Sequence, residues 1–88
     1  MPKASEGGQM YYVYRLQYRA HPEQKYTGFT TDFDNRFKAH NSGQVPHTSK
    51  YLPWELVNLF SFVDENKAKS FEKYLKSGSG RAFAKQHF

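Results

Sequence analysis

The chain contains no cysteine and no long apolar run. Without cysteine, neither a disulfide framework nor a thiolate metal site can form, and this absence fits a reducing compartment. Without a run of about eighteen apolar residues, no segment is long enough for a membrane-spanning helix. Residues 1–9 are polar and lack the apolar centre of a signal peptide. These absences predict a cytoplasmic protein with no membrane segment, in which a loose tail at 1–9 precedes one domain at 10–88.

The chain is rich in aromatic residues and positive charge. Its 88 residues include seven Tyr, eight Phe and one Trp, and rings of this size give a small single domain considerable area to bury. The net charge of +5 favours polyanionic partners. Many small domains are equally basic, so charge alone leaves both nucleic acid and an anionic membrane surface open, although no long basic amphipathic helix favours the membrane. We expect a monomer.

Three stretches rich in Tyr, Val, Leu and Phe predict strands at 10–18, 25–29 and 54–63. The connection between the first two is polar and contains Pro22. The third stretch is too apolar for a strand with one face in solvent, so we expect it to lie at the centre of the sheet.

Periodic apolar positions predict three helices, at 32–41, 64–76 and 81–88, so the expected order is β-β-α-β-α-α. Thr31 and Asp64 are the expected N-caps of the first two helices, because their side-chain oxygens can accept from free backbone amides. The other expected boundary and anchor positions are Gly43 and Gly78 as helix stops, Ser79 as the cap of the third helix, and Phe83 as its anchor.

Five polar or small residues stand at positions that suit a site. Tyr14 and Tyr26 lie in the first two strands, where pairing can place both phenols on one face. Gly28 follows, and bare backbone there can serve a turn or the close approach of a ligand. Arg36 and His40 are one helical turn apart, so both can point the same way. Taken singly, the tyrosines are typical of packed core residues and His40 of a partly buried histidine.

The order of these residues resembles the GIY-YIG nuclease superfamily, above all the small stand-alone members similar to the nuclease module of the bacterial excinuclease. The resemblance covers about residues 10–88. It implies an α+β fold with a small three-stranded antiparallel sheet flanked by helices, and metal-dependent hydrolysis of DNA phosphodiesters. The matched positions are Tyr12-Val13-Tyr14, Tyr26-Thr27-Gly28, Arg36, His40, Gly43 and Glu72 with Leu75-Lys76. By motif, the resemblance assigns to the active site Tyr14, Tyr26, Arg36, His40 and Glu72, with Gly28 in its backbone wall.

The chain departs from the family pattern at three places. Tyr12 stands where the first Gly of the motif lies and Thr27 where its Ile lies, as in related small members. Many members also carry an Asn after the metal-binding Glu, whereas this chain has none beyond Asn66. The candidates to replace that Asn are Gln86 and Ser79.

The resemblance makes Glu72 the metal ligand, and a single carboxylate suits one Mg²⁺ or Mn²⁺ that keeps several waters. Arg36 offers a planar fork for two phosphate oxygens, unless Asp32 takes it in a surface ion pair. His40 can relay a proton near neutral pH. Either tyrosine can bind or deprotonate the attacking water, at a cost of about 4 kcal/mol for an ordinary phenol, and the sequence leaves that choice open.

The expected function is a DNA endonuclease with one divalent ion and structure-dependent or weakly sequence-specific cleavage, with RNA as the other nucleic acid to test. The alternative is a nucleic-acid-binding module whose nuclease site is degenerate. We expect the five active-site side chains to converge in one shallow basic groove, and DNA binding to weaken steeply with salt. The expected contacts to nucleic acid are Gly28, Lys50, Lys69, Lys73 and Arg81.

Overall fold

Three strands and three helices follow one another in the order β-β-α-β-α-α, as predicted. The structure is a computed structural model that describes residues 8–88. The elements are β1 (Tyr11–Tyr18), β2 (His21–Thr30), α1 (Phe33–Asn41), β3 (Trp54–Phe62), α2 (Glu65–Lys76) and α3 (Gly78–His87). Most of the tail expected at 1–9 lies outside the described residues. Within residues 8–88, no helix is both long and apolar enough to cross a membrane.

The sheet is antiparallel with the order β2-β1-β3, so the prediction of a central third strand was wrong. The most buried strand is the central one, β1, in which Val13, Tyr14 and Leu16 are fully buried. In β3, Leu56 and Leu59 are each 42% exposed. Hydrophobicity alone favoured β3, since it undervalues a tyrosine whose hydroxyl is hydrogen-bonded inside the protein.

The second strand is longer than predicted, because it begins at His21 rather than at Lys25. A two-residue turn, Arg19-Ala20, replaces most of the polar connection expected there. Pro22 therefore lies inside a strand, which the fold tolerates because β2 is an edge strand and one of its sides needs no amide donors.

The helix caps agree with the sequence in part. Asp64 caps α2 by accepting from the amides of Asn66 and Lys67, as predicted. The cap of α1 is Asp32 and not Thr31, because the Asp32 carboxylate reaches the amide of Asn35. A carboxylate also suits the positive end of the helix better than a hydroxyl does.

The first helix ends as the sequence predicts, whereas the third begins earlier than predicted. Gly43 ends α1 with φ +78°, as expected of a helix stop. The third helix begins at Gly78, three residues earlier than predicted, because the Ser77 hydroxyl caps it by accepting from the amide of Gly80. Phe83 does not anchor this helix, since it is 39% exposed while Ala84 is the buried residue.

Helices cover both faces of the sheet. Val13 packs with Ala68, Leu75 and Ala84 beneath α2 and α3. Tyr14, the next residue along β1, points to the opposite face, where α1 and the loop at 42–53 cover it. Each face of β1 therefore carries its own cluster, and the polar groups described below belong to the face beneath α1.

Gly80→Ala is expected to lower the free energy of unfolding by about 2–3 kcal/mol, because overpacking a tight contact costs this much. A Cβ at Gly80 would collide with the backbone of Tyr74 and Leu75, which leaves α2 no side chain to move aside. Gly78→Ala is the matched control, since a Cβ there meets no atom within 4 Å. Urea unfolding monitored by circular dichroism gives both values, and equal midpoints for the two variants would contradict this account of the α2–α3 contact.

Candidate active site

Tyr14 lies at the centre of the site, fully buried on β1. It pairs with Gly28 across the β1–β2 ladder, and its phenol lies over the bare backbone of that glycine. A Cβ at position 28 would collide with the Tyr14 hydroxyl and with the Tyr26 ring. Gly28 is therefore required to admit the phenol, a reason that the sequence left open.

The Tyr14 hydroxyl begins a chain of three hydrogen bonds. It lies 2.7 Å from Nε2 of His40, and Nδ1 of His40 lies 2.8 Å from Oγ1 of Thr48. The Thr48 hydroxyl in turn donates to the carbonyl oxygen of Val45 at 3.3 Å. All three side chains have at most 1% exposure, so they satisfy one another in a site without solvent.

Burial raises the pKa of Tyr14 to about 12, although the Arg36 guanidinium lowers it and the charges of Tyr26 and Glu72 add to the rise. Deprotonating Tyr14 at pH 7 would cost about 7 kcal/mol, which is five pH units at about 1.4 kcal/mol each. Tyr14 is therefore a hydrogen-bond donor at neutral pH and a poor base. Because it donates to Nε2, a neutral His40 carries its proton on Nδ1 and donates to Thr48.

Burial, assisted by the charge of Arg36, lowers the pKa of His40 to about 4 from its ordinary 6.5. The unfolded chain then binds a proton that the folded chain does not, in the window between these two values. Stability is full above pH 6.5 and falls as the pH drops through this window, by about 3 kcal/mol for His40 alone.

Thermal unfolding between pH 7 and pH 4 tests this linkage. We expect the midpoint to fall with pH in the parent, and to fall less steeply in His40→Gln. His21→Gln is the control, since His21 is exposed and its removal leaves the buried chain of hydrogen bonds intact. A parent and a His40→Gln variant with the same pH slope would contradict a buried neutral His40.

Tyr26 packs against the same group from β2. Its ring centroid lies 6.2 Å from that of Tyr14 and 4.9 Å from that of His40. Unlike Tyr14, it is only partly buried, and it lines an open groove on the protein surface. Of the two phenols, Tyr26 is therefore the one in contact with the solvent side of the site.

Arg36 lies beside both phenols, and the Tyr14 phenol is the main cause of a raised pKa at Arg36. The alternative role as a surface partner of Asp32 is not seen, because the Asp32 carboxylate binds the backbone and side chain of Asn35. Within residues 8–88, Arg36 forms no ion pair, and its buried Nε has no hydrogen-bond partner. A buried donor without a partner is costly, and within the described residues no carboxylate neutralises this guanidinium.

Glu72 reaches the cluster from a different direction. Its helix, α2, packs on the sheet face opposite α1, against the two strands that carry the tyrosines. Its carboxylate is 3.0 Å from Nζ of Lys76, and its side chain is 21% exposed. Its charge contributes to the raised pKa of Tyr14, so it acts on that phenol. The structure thus brings four of the expected residues into one cluster, and convergence with Glu72 in a shared groove stays a prediction.

The part of the chain that the structure describes contains no group of three His, Cys, Asp or Glu side chains arranged to hold a metal ion. Glu72 is the one carboxylate among the expected site residues, so it is the residue that would hold a divalent ion, with water or substrate oxygens filling the other positions. That donor set fits Mg²⁺, which keeps most of its waters and takes one or two carboxylates.

The basic residues expected to contact nucleic acid lie at separate places. Lys69 pairs with Glu65 at 3.0 Å and also lies over the Phe29 ring. Lys50 is exposed in the loop after α1, and Lys73 is exposed on α2. Arg81 alone of the four lines the surface groove that contains Tyr26.

Sequence analysis assigned Thr48 no role in this site. Its backbone carbonyl accepts from the Trp54 indole at 3.0 Å, and this contact holds the loop against β3. Asn41 adds a second tie, because its side chain bonds both the amide and the carbonyl of Trp54. A contact between an irregular loop and a strand leaves no periodic signal in the sequence, so only the structure reveals it.

Comparison with known proteins shows the family to which the chain is similar. A family model described as the GIY-YIG catalytic domain matches residues 10–86. UPF0213 proteins are similar to the chain: one from Clostridium perfringens is 38% identical over 76% of this chain and 71% of its own length. One from Lactococcus lactis is 36% identical over 75% of this chain and 62% of its own length. One from Haloquadratum walsbyi is 35% identical over 76% of this chain and 74% of its own length. The names of these relatives state no activity.

Proposed function

The chain belongs to the GIY-YIG family of nucleases, and from that premise we propose that it is an endonuclease that cleaves DNA phosphodiester bonds with one divalent ion. We further propose that it recognises DNA structure, or sequence only weakly, because one small domain reads few bases. The observation that carries the proposal is the Arg36 guanidinium beside two phenols, with a buried Nε that lacks a partner.

Arg36 is the phosphate-binding residue of this proposal. Its planar fork can donate to two oxygens of the scissile phosphate and offset their charge as it increases in the transition state. Arg36 is partly buried, and partial screening from water strengthens the contact of a guanidinium with an anion. Lysine could not replace it, because an ammonium lacks the paired donors.

Tyr26 is the proposed residue that binds and deprotonates the attacking water. It is the more exposed phenol, and the Arg36 guanidinium lies beside it. Tyr14 has the other role: its proton stays on oxygen and its hydroxyl positions the imidazole of His40. The neutral imidazole and Thr48 then fix the Tyr14 ring against which Tyr26 packs.

Glu72 is the proposed ligand of the divalent ion, Mg²⁺ or Mn²⁺. When bound, the ion would supply charge neutralisation at the phosphate and would assist departure of the leaving oxygen. To hold it, Glu72 has to release Lys76, a partner it meets at 3.0 Å on an exposed part of the helix. Such pairs contribute only about 0.3–0.5 kcal/mol, so the exchange is inexpensive.

The second candidate function is a nucleic-acid-binding module without turnover. The Glu72–Lys76 pair favours it, because a carboxylate already neutralised by a lysine needs no metal. Exposed basic residues such as Lys50 and Lys73 would then bind DNA, and Tyr14 and Tyr26 would serve only for packing.

A panel of end-labelled substrates separates the two candidates. The purified chain is incubated with single-stranded, nicked, flapped and branched DNA, and with matched RNA, in Mg²⁺, in Mn²⁺ or in EDTA. We expect cleavage of one or more DNA structures with either metal and none in EDTA. Binding without cleavage of any substrate would support the module and contradict the nuclease.

A further inference from the structure

A second feature of the surface lies on the sheet face that α2 and α3 cover only in part. Here the strands extend beyond the helices and leave a groove of about 960 Å³ between the sheet and α3. Tyr26 and Lys76 line it, and Lys76 is the residue that pairs with Glu72. The basic residues that line this groove are Arg15, Lys25, Lys76, Arg81 and Lys85.

The groove follows from a change in polarity along β1. Val13 faces α2 and packs in its apolar cluster. Arg15, two residues on and therefore on the same face, pairs with Thr27 on β2 and Asn58 on β3. This face is apolar where α2 covers it and becomes polar at Arg15, where the groove lies.

Arg15 is the most unusual residue of the groove. It is only 9% exposed, although arginine is almost never fully buried without a partner. Its Nη1 donates to Oδ1 of Asn58 at 2.9 Å, and within residues 8–88 it forms no ion pair with a carboxylate. A buried cation without a counter-ion is costly, and an anionic ligand in the groove would supply that counter-ion.

The wall opposite the sheet adds charge and an aromatic ring. Arg81 and Lys85 are one turn apart on α3, so both face the groove. Phe88, at the end of α3, also lines it and is 44% exposed. Among residues 8–88, Glu23 is the one acidic side chain in the lining, and it has His21 as a neighbour at 3.5 Å. The lining is therefore strongly cationic with one exposed aromatic face.

We propose that this groove binds the phosphate backbone of single-stranded nucleic acid, with Arg15, Arg81 and Lys85 on the phosphates and Phe88 as a stacking surface for a base. Cationic grooves with exposed aromatic side chains bind single strands in this way, because every base offers a face to stack on. The inference rests on the proposed nuclease function, since the groove is lined by Lys76, the partner of the proposed metal ligand Glu72. The substrate would then be DNA with a single-stranded arm.

Fluorescence anisotropy in EDTA tests the groove without any turnover. The probe is a labelled single strand of about 12 nucleotides, within the range that such sites cover. The variant is Arg81→Gln/Lys85→Gln, and the control is Lys38→Gln/Lys67→Gln, which removes the same charge from exposed positions outside the groove lining. We expect the groove variant to bind about tenfold more weakly, and its salt slope to shrink by about 1.4, which is 0.7 for each lost phosphate contact. The control should keep the slope of the parent.

Two further variants keep the test decisive. Arg15→Gln should weaken binding in the same way if it folds, and circular dichroism decides whether it does. Phe88→Leu leaves the charge unchanged and should weaken binding of the strand while sparing a blunt duplex. If Arg81→Gln/Lys85→Gln and its control bind alike, the inference is wrong. It is also wrong if inorganic phosphate, at equal phosphate concentration, competes as well as the strand, since the groove would then be a site for small anions.

Failure of this inference is distinguishable from failure of the proposed function. A parent that binds the strand through the groove but cleaves nothing contradicts the nuclease and leaves the groove standing. A parent that cleaves, with groove variants that bind and cleave like the control, contradicts the groove alone.

Discussion

Glu72→Gln is expected to lower the cleavage rate by about 10³-fold while the chain folds normally. Glutamine keeps the size and helix propensity of the side chain but removes the charge that can hold a divalent ion. Loss of several kcal/mol of charge stabilisation in the transition state corresponds to a rate loss of this size. Single-turnover cleavage of the best panel substrate gives the rate, and thermal unfolding confirms the fold.

Glu65→Gln is a control of the same geometry. Glu65 also pairs with a lysine four residues on, at 3.0 Å, on the same helix as Glu72. Loss of a helical ion pair as such is therefore common to both variants, and only Glu72→Gln should lose cleavage. Equal rates for the parent and Glu72→Gln would contradict the assignment and point to a different site or to a contaminating nuclease.

DNA binding separates Glu72 from Arg36. Glu72→Gln should bind DNA as well as the parent or better, because its carboxylate repels phosphate when no ion neutralises it. Arg36→Ala should lose binding along with cleavage, since its guanidinium acts on the substrate directly. If the protein is a binding module without turnover, Glu72→Gln should leave every metal-dependent measurement unchanged, because the parent itself cleaves nothing.

Tyr26→Phe is expected to lower the cleavage rate by about 10²–10⁴-fold, the usual contribution of a positioned acid or base. The substitution removes one oxygen at a partly buried position and leaves the ring packing against Tyr14 and His40 intact. Stability should therefore stay close to that of the parent. Single-turnover rates measured between pH 6 and pH 9 show whether the loss comes with a changed pH profile.

Tyr14→Phe is expected to lower stability more than Tyr26→Phe does, and to lower the cleavage rate less. It leaves Nε2 of His40 buried without its 2.7 Å partner, which costs about 1–3 kcal/mol of stability. The cleavage rate of this variant should fall less than that of Tyr26→Phe. The pH profile of cleavage should stay unchanged, because Tyr14 positions His40 and does not itself transfer a proton. A larger catalytic loss in Tyr14→Phe than in Tyr26→Phe would reverse the roles of the two phenols.

Local patterns in the sequence predicted how four of the site residues lie relative to one another. Strand alternation placed Tyr14 and Tyr26 on one face, and helical spacing placed Arg36 and His40 one turn apart. In the structure these four side chains lie together between α1 and the sheet. Each prediction needed only residues close in sequence, together with the pairing of two neighbouring strands.

The features that the sequence did not predict depend on contacts between distant residues. The central place of β1 depends on which strands pair. A proline such as Pro22 predicts the end of a strand, and only the strand order shows that β2 is an edge strand, which tolerates it. Thr48 meets His40 only after its loop packs on Trp54. The buried charge of Arg15 likewise depends on where α2 ends over the sheet.

The most direct test of the nuclease is cleavage of a DNA circle without ends. The best substrate of the panel is closed covalently, so that only an internal cut can open it. The parent should open the circle in Mg²⁺ and leave it intact in EDTA, and Glu72→Gln should leave it intact in both. An intact circle with the parent in Mg²⁺, or equal opening by the parent and Glu72→Gln, would contradict a metal-dependent endonuclease centred on Glu72.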